Sequence, residues 1–202
     1  MTHGGCMQAV PMDLIYELYP ADSRICRILL IHSRAVAERA LQIARCAGLR
    51  GPDPGFIEEA ALLHDIGIYL TDAPAIGCHG SWPYVCHGWL GRNILEQRGL
   101  WRHALVCERH VGAGLSESDI RSQSLPLPLR DMRPVSLEEQ IICYADAFFS
   151  KNPHLNGRPL PFALVAETMR SYGEEKFRRF LQWAGRFEPG LLQDCTASGD
   201  FL

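Results

Sequence analysis

Residues 60–67 read AALLHDIG, an apolar helical run that ends in an adjacent histidine and aspartate. His64 falls on the same helix face as Ile57, and Gly67 is expected to end the helix in the left-handed conformation. Asp65 lies in the last turn, where a carboxylate opposes the negative end of the helix dipole unless a cation compensates it. This stretch therefore predicts a buried helix that ends in a polar, cation-binding position.

Helical periodicity continues through most of the chain and predicts an all-α fold. Amphipathic helices are expected at residues 21–48, 56–67, 83–99, 100–112, 136–151, 161–172 and 174–187. Asp22 or Ser23 is expected to cap the first of these helices and Gly48 to end it, while Ser136 and Glu139 predict a capping box. No strand-like alternation is long enough to predict a sheet.

One domain is expected over residues 1–202, with its core at about 24–151 and C-terminal helices at 161–187, since single cores typically serve ~100–200 residues. Residues 113–135 are predicted to form a long loop, because the prolines of SQSLPLPLRDMRP exclude a regular helix. We expect its proline-rich part, 124–134, to overhang the functional site.

Composition favours a globular protein that binds a small molecule. Of the 202 residues, 47% are apolar and 21% charged, and the net charge is −3. No basic field exists to hold nucleic acid, and no window approaches the ~18 apolar residues of a membrane span. The N-terminal sequence MTHGGCMQAVPMDL lacks the features of a signal peptide. These features predict a cytoplasmic protein with no nucleic-acid or membrane partner, and they are compatible with a homodimer.

The chain contains eight cysteines but no CxxC pair. Because they are scattered through helical patterns, most are expected to be small buried residues rather than disulfides. Cys78, His79, Cys86 and His87 remain an alternative structural zinc site, although their spacing is not that of zinc fingers.

Six polar residues interrupt apolar helix faces: His32, His64, Asp65, His87, His110 and Asp146. A lone histidine on such a face is usually a core residue satisfied by a carbonyl. Burying four imidazoles and two carboxylates together would cost many kcal/mol, however, whereas divalent cations neutralise and satisfy them jointly. The set therefore predicts a buried metal site, and its mixed ligands suit Fe, Mn, Co, Ni or Zn better than Mg.

His32, the ALLHDIG run and Asp146 in IICYADAFFSK resemble the H…HD…D signature of the HD-domain metal-dependent phosphohydrolase superfamily over about residues 24–151. The segments CHGWLG and ERHVGAG are similar to those that carry two extra histidines in its binuclear members. The resemblance implies a helical bundle around the metal site. It implies that His32, His64, Asp65 and Asp146 hold one ion, and that Asp65 bridges to a second ion on His87 and His110.

The same resemblance implies hydrolysis of a phosphate ester or anhydride in a nucleotide or small phosphorylated metabolite by a metal-bound hydroxide. Asp65, His87 and His110 would then be catalytic. No protein nucleophile is required, and the chain has no GxSxG elbow and no Walker loop. It also lacks the GYP tripeptide of cyclic-di-GMP phosphodiesterases, which disfavours that substrate.

Further residues are candidates for substrate binding. Lys151 lies about one and a half helical turns past Asp146, and Arg130 and Arg133 lie in the proline-rich segment. His79 is a candidate for contact with a leaving group. Two other functions use the same ligands: an HD-fold di-iron oxygenase, and a regulatory module that binds metal or nucleotide without turnover.

Overall fold

The computed structural model describes residues 11–46 and 51–191. In this part of the chain the α-helices are α1 (Pro11–Leu18), α2 (Arg24–Cys46), α3 (Pro54–Leu63), α4 (His87–Glu96), α5 (Trp101–Arg109), α6 (Glu117–Ser122), α7 (Leu137–Asp146), α8 (Phe162–Ser171) and α9 (Glu174–Phe187). The only sheet within the described ranges pairs β1 (Asp72–Ala73) with β2 (Cys78–His79), antiparallel. The all-α prediction is confirmed, and the short hairpin corrects the expectation of no strands.

The long helix α2 organises the bundle, because it packs against both α3 and α7. Helix α5 packs against both α4 and α3, and α9 packs against both α8 and α7. Apolar residues form one core cluster that includes Val36, Ile142 and Phe180, and a second that includes Leu29, Leu63 and Leu95. None of the described helices has both the length and the apolar character that a membrane span requires.

The prediction of a continuous loop at 113–135 is wrong, because α6 lies within it. Ser116 Oγ accepts a hydrogen bond from the Asp119 main-chain nitrogen at 3.1 Å, and Asp119 Oδ2 accepts one from the Ser116 nitrogen at 2.8 Å. This complete capping box starts a helix that ends before the first proline of the segment. Helix α1 was likewise not expected from the sequence.

Gly67 does not have the left-handed conformation that the sequence predicts. Its φ is −87°, which any residue can adopt. A Cβ at this position would lie 2.3 Å from the His87 carbonyl oxygen and 2.5 Å from the Gly91 nitrogen. A Cβ on Gly91 would lie 2.3 Å from Cys107 Sγ. Glycine is therefore required here for close approach between the turn after α3 and α4.

Two predicted caps are present in part. Ser23 Oγ accepts from the Cys26 nitrogen at 3.2 Å at the start of α2, whereas Gly48 lies outside the described residues. Ser136 Oγ accepts from the Glu139 nitrogen at 3.1 Å. In a capping box the Glu139 carboxylate would accept from the Ser136 nitrogen. Here it accepts from the Val135 nitrogen instead, at 2.7 Å.

Five cysteines in the described ranges are buried free thiols, as expected: Cys26, Cys78, Cys86, Cys107 and Cys143. For the other three, Cys6, Cys46 and Cys195, the side chains lie outside the described residues.

Candidate metal centre

Helix ends bring the candidate ligands together. His64 and Asp65 follow directly after α3, His87 is the first residue of α4, and His110 follows directly after α5. The remaining two come from the middle of α2, His32, and from the last residue of α7, Asp146. All four histidines and Asp65 are at most 4% exposed.

The first group of ligand atoms surrounds one point. His32 Nε2 lies 3.1 Å from Asp65 Oδ2, 3.0 Å from Asp146 Oδ1 and 3.2 Å from His64 Nε2. His64 Nε2 lies 3.1 Å from Asp65 Oδ2 and 3.3 Å from Asp146 Oδ1. Two nitrogens and two carboxylate oxygens therefore converge on a single small volume.

The second group uses the other oxygen of Asp65. Asp65 Oδ1 lies 3.3 Å from His87 Nε2 and 3.5 Å from His110 Nε2, and these two nitrogens are 3.0 Å apart. One buried carboxylate thus faces a separate pair of imidazoles on each side.

Main-chain hydrogen bonds fix the orientation of three imidazoles. Nδ1 of His64, His87 and His110 lies 2.6, 2.6 and 2.7 Å from the carbonyl oxygen three residues earlier. Because a carbonyl only accepts, each Nδ1 carries the proton and donates it. In the neutral form of each ring, Nε2 then presents a lone pair to the centre of the cluster, as in metal-binding histidines.

The donor set fits a divalent cation. When both imidazoles are neutral, as metal binding requires, Nε2 of His87 and Nε2 of His110 face each other at 3.0 Å with no hydrogen between them, and their lone pairs repel each other. Both oxygens of Asp65 and Oδ1 of Asp146 are buried and receive no well-aligned hydrogen bond from the described residues, although Lys151 Nζ lies 2.6 Å from Asp65 Oδ2. A cation bound by these nitrogens and oxygens would relieve the repulsion and satisfy the carboxylates together.

Charges within the cluster shift its pKa values in opposite directions. Burial lowers the pKa of His64, but the carboxylates of Asp65 and Asp146 raise it to about 10. For His87 burial dominates over Asp65 and lowers the pKa to about 3. Burial raises the pKa of Asp65, but the charges of His64 and Lys151 hold it well below its usual range. Asp65 is therefore ionised and His87 neutral, the states in which both bind metals, whereas a metal would have to displace a proton from His64.

Two buried thiols hold the main chain of the ligand histidines. Cys107 Sγ donates to the His64 carbonyl at 2.8 Å, and Cys143 Sγ donates to the His110 carbonyl at 3.1 Å. Both carbonyls lie at helix C-termini, where the helix itself provides no donor. No sequence pattern indicates this role, because the partners are more than 30 residues apart.

The HD domain family model matches residues 29–150, a range that contains the whole cluster. The chain belongs to the HD domain family. The match and the buried cluster are compatible with divalent metal binding by this HD domain.

The chain is similar to curated proteins of several organisms. An uncharacterized protein of Methanocaldococcus jannaschii is 36% identical over 57% of this chain and 62% of its own length. Proteins named tRNA (cytidine(56)-2'-O)-methyltransferase from Picrophilus torridus and Thermoplasma volcanium are 29% and 28% identical. Those matches cover 79% and 71% of this HD domain chain, but only 42% and 37% of the relatives. No solved structure gave a match.

Of the four candidates for substrate binding, the structure places only Lys151 at the cluster. Its Nζ lies 2.6 Å from Asp65 Oδ2. Arg130 pairs with buried Glu108, and Arg133 pairs with Asp131 and Glu175 on the surface. His79 is exposed in β2.

The alternative zinc tetrad is not assembled. Among the described residues, the groups of three or more metal-type ligands lie in the cluster itself. Cys86 Sγ instead donates to the Pro126 carbonyl at 3.4 Å, and His79 is exposed.

A cavity of about 1160 Å³ opens onto the cluster at His87, His110, Asp146 and Lys151. Its wall includes Tyr84, which the sequence did not single out. Apart from Asp146, no carboxylate from the described residues lines this cavity, and most of the rest of its wall is apolar. From the proline-rich segment 124–134 only Leu125 contributes to the wall.

Proposed function

We propose that this HD domain hydrolyses a phosphate ester or anhydride in a nucleotide or another small phosphorylated metabolite. The observation that carries the proposal is Asp65, whose two oxygens face two separate pairs of imidazole Nε2 atoms. One or two divalent transition-metal ions bound there would supply a hydroxide near neutral pH and neutralise phosphoryl oxygens. The proposed ligands are His32, His64, Asp65 and Asp146 for one ion, and Asp65, His87 and His110 for the other.

Lys151 is the proposed contact for a phosphoryl oxygen of the substrate. Burial lowers its pKa, but the charge of Asp65 raises it above the ordinary value, so the ammonium group stays protonated. Lys151 lines the cavity next to the proposed metal ligands. Leu125 and Phe149 offer apolar surface to the organic part of the substrate.

The methyltransferase names belong to relatives of which this chain covers less than half, and we propose no methyl transfer for it. The net charge of −3 supports a small substrate rather than a nucleic acid. Because the names of two relatives refer to tRNA, the test includes tRNA as a competing substrate.

The test offers metal-stripped protein, reloaded with Mn or Fe, a panel of nucleotides, sugar phosphates and tRNA. We expect phosphate or nucleotide release from small substrates. Asp65→Asn should lose both bound metal and activity, because one oxygen of the bridging carboxylate is replaced by an amide that cannot bind cations. Asp72→Asn, at an exposed carboxylate in β1, is the matched control.

Inactivity with every metal and substrate, or unchanged metal content in Asp65→Asn, would contradict the proposal. Oxygen consumption by the iron-loaded protein without phosphate release would favour the oxygenase alternative. Release from tRNA alone would overturn the small-substrate part of the proposal.

A further inference from the structure

A second, smaller pocket of about 240 Å³ also has Lys151 in its wall. One wall is the outer face of α2, with Arg24, Arg27 and Ile31, and the other is the loop 150–157. The residues shared with the large cavity are Arg24, Ser150, Lys151, Asn152 and Pro153. The two pockets therefore meet at the side chain that contacts Asp65.

The lining of the small pocket is rich in hydrogen-bond donors. Arg24, Arg27, Lys151, Asn152 and Asn156 contribute guanidinium, ammonium or amide N–H groups. No carboxylate from the described part of the chain lines it. A pocket with several cationic donors and no acid attracts an anion.

Several of these residues have N–H groups that are not used in hydrogen bonds to other described residues. The Arg27 side chain is exposed and has no ion-pair or hydrogen-bond partner within residues 11–46 and 51–191. Arg24 uses Nη2 for the Ala75 carbonyl at 3.0 Å, which leaves its other N–H groups available. Asn152 accepts through Oδ1 from the His154 nitrogen at 3.0 Å, so its NH₂ group remains a donor.

His32 forms part of the same pocket and does not line the large cavity. Its Nε2 belongs to the metal centre, while its buried Nδ1 has no partner within the described residues. The other three ligand histidines donate Nδ1–H to a carbonyl. His32 is thus the one imidazole of the centre whose second nitrogen lacks a protein partner in the described structure.

The loop is held in place against α2 by a tight turn. Asn156 and Gly157 have φ of +47° and +73°, the conformation that asparagine and glycine adopt most readily. A Cβ on Gly157 would lie 3.1 Å from Ile31 Cγ2, so the turn packs closely on the helix. The pocket wall is therefore a defined surface.

We propose that this pocket, between α2 and the loop 150–157, is an anion subsite for a phosphate group, reached from the metal centre past Lys151. The inference rests on the proposed function for the origin of the phosphate. The group is either inorganic phosphate released by hydrolysis or a further phosphate of the substrate, and both have the same oxyanion chemistry.

The test measures binding of inorganic phosphate to the metal-loaded protein by calorimetry, together with phosphate inhibition of turnover. Arg27→Ala should weaken phosphate binding about three- to tenfold, as expected for loss of one charge-assisted contact, and Arg27→Glu should weaken it further. Asn156→Gly removes the amide but keeps the turn, and should also weaken binding. Arg34→Ala is the matched control, because Arg34 is exposed on the same helix and lines neither pocket.

Weaker phosphate binding with an unchanged KM would support the subsite and identify released phosphate as its occupant. Weaker binding with a raised KM would support the subsite and identify a second substrate phosphate. Arg27 variants that bind phosphate as the Arg34→Ala control does would overturn the inference. If no substrate is turned over but phosphate binding still depends on Arg27, the hydrolase proposal fails and the subsite stands.

Discussion

Asp146 and Phe148 lie two residues apart at the end of α7, yet they face regions of different character. Phe148 joins a cluster of aromatic rings around Phe180. The centroid of the Phe180 ring lies 5.9 Å from that of Phe148, 5.4 Å from that of Phe162 and 5.2 Å from that of Tyr144. Those contacts are favourable without any further component. Asp146 joins a cluster of lone pairs and charges that favours a bound cation.

The difference shows how the fold divides its tasks. The aromatic region gains free energy from burial and packing, and it can hold α7, α8 and α9 together by itself. The candidate metal centre gains nothing from bringing lone pairs together, so the surrounding helices must hold these six side chains in place. Stability and metal binding should therefore respond to different substitutions.

The largest expected effect on stability comes from the aromatic side. Phe180→Ala should lower the free energy of unfolding by about 3–5 kcal/mol, because it deletes a fully buried ring and leaves a cavity. Metal stoichiometry at temperatures below unfolding should not change. Denaturant titration and metal analysis measure the two quantities, with Trp101→Ala, at a ring that is 62% exposed, as the control. If Phe180→Ala also lost bound metal, stability and metal binding would not depend on separate regions.

A smaller effect on stability, with a larger effect on metal binding, is expected at Gly67. In Gly67→Ala the new methyl group meets main-chain atoms of His87 and Gly91, and overpacking of this kind costs about 1–3 kcal/mol. Because His87 must move, the affinity for Mn or Fe should fall by roughly 10–100-fold, as for other changes that misorient a ligand. Competition with a chelator measures the affinity. Gly190→Ala, where a Cβ has no neighbour within 4 Å, should change neither quantity.

The smallest effect tests a buried charge that already has a protein partner. Lys176 Nζ contacts Asp119 Oδ1 at 2.7 Å. Burial raises the pKa of Asp119, but the hydrogen bonds from Lys176 and Ser116 outweigh it, so the pKa lies below the ordinary 3.8. The ionised form therefore contributes stability above about pH 4 that is lost as the pH falls through the lowered pKa. Asp119→Asn should cost roughly 1 kcal/mol at pH 7 and progressively less below about pH 4. Asp72→Asn is the exposed control. A cost that stays constant with pH would exclude this electrostatic origin.

Much of the fold was predictable because α2, α3, α7, α8 and α9 carry long apolar faces with the helical period. The features that sequence reasoning missed depend on short or distant interactions. Helix α6 is only six residues long and relies on its capping box. The role of Gly67 depends on α4, which lies about 20 residues further along the chain.

The sequence predicts which residues belong to the candidate site better than it predicts how they are arranged. The six residues stood out because each is polar on a face that should be apolar, and the structure brings all six together; their role as metal ligands stays a prediction. Lys151 was suggested by its spacing from Asp146. Arg130 could not be placed from the sequence, since its partner Glu108 is a carboxylate 22 residues away.

The hydrogen bonds from Cys107 and Cys143 to the ligand histidines make these sulfurs reporters of local opening. Burial raises the pKa of both thiols well above the ordinary value, and only the thiolate reacts with alkylating reagents. Alkylation must therefore wait until the chain around His64 and His110 separates and admits water. The alkylation rate of the two thiols therefore measures how often this part of the chain opens. A cation that binds the closed form would lower that rate.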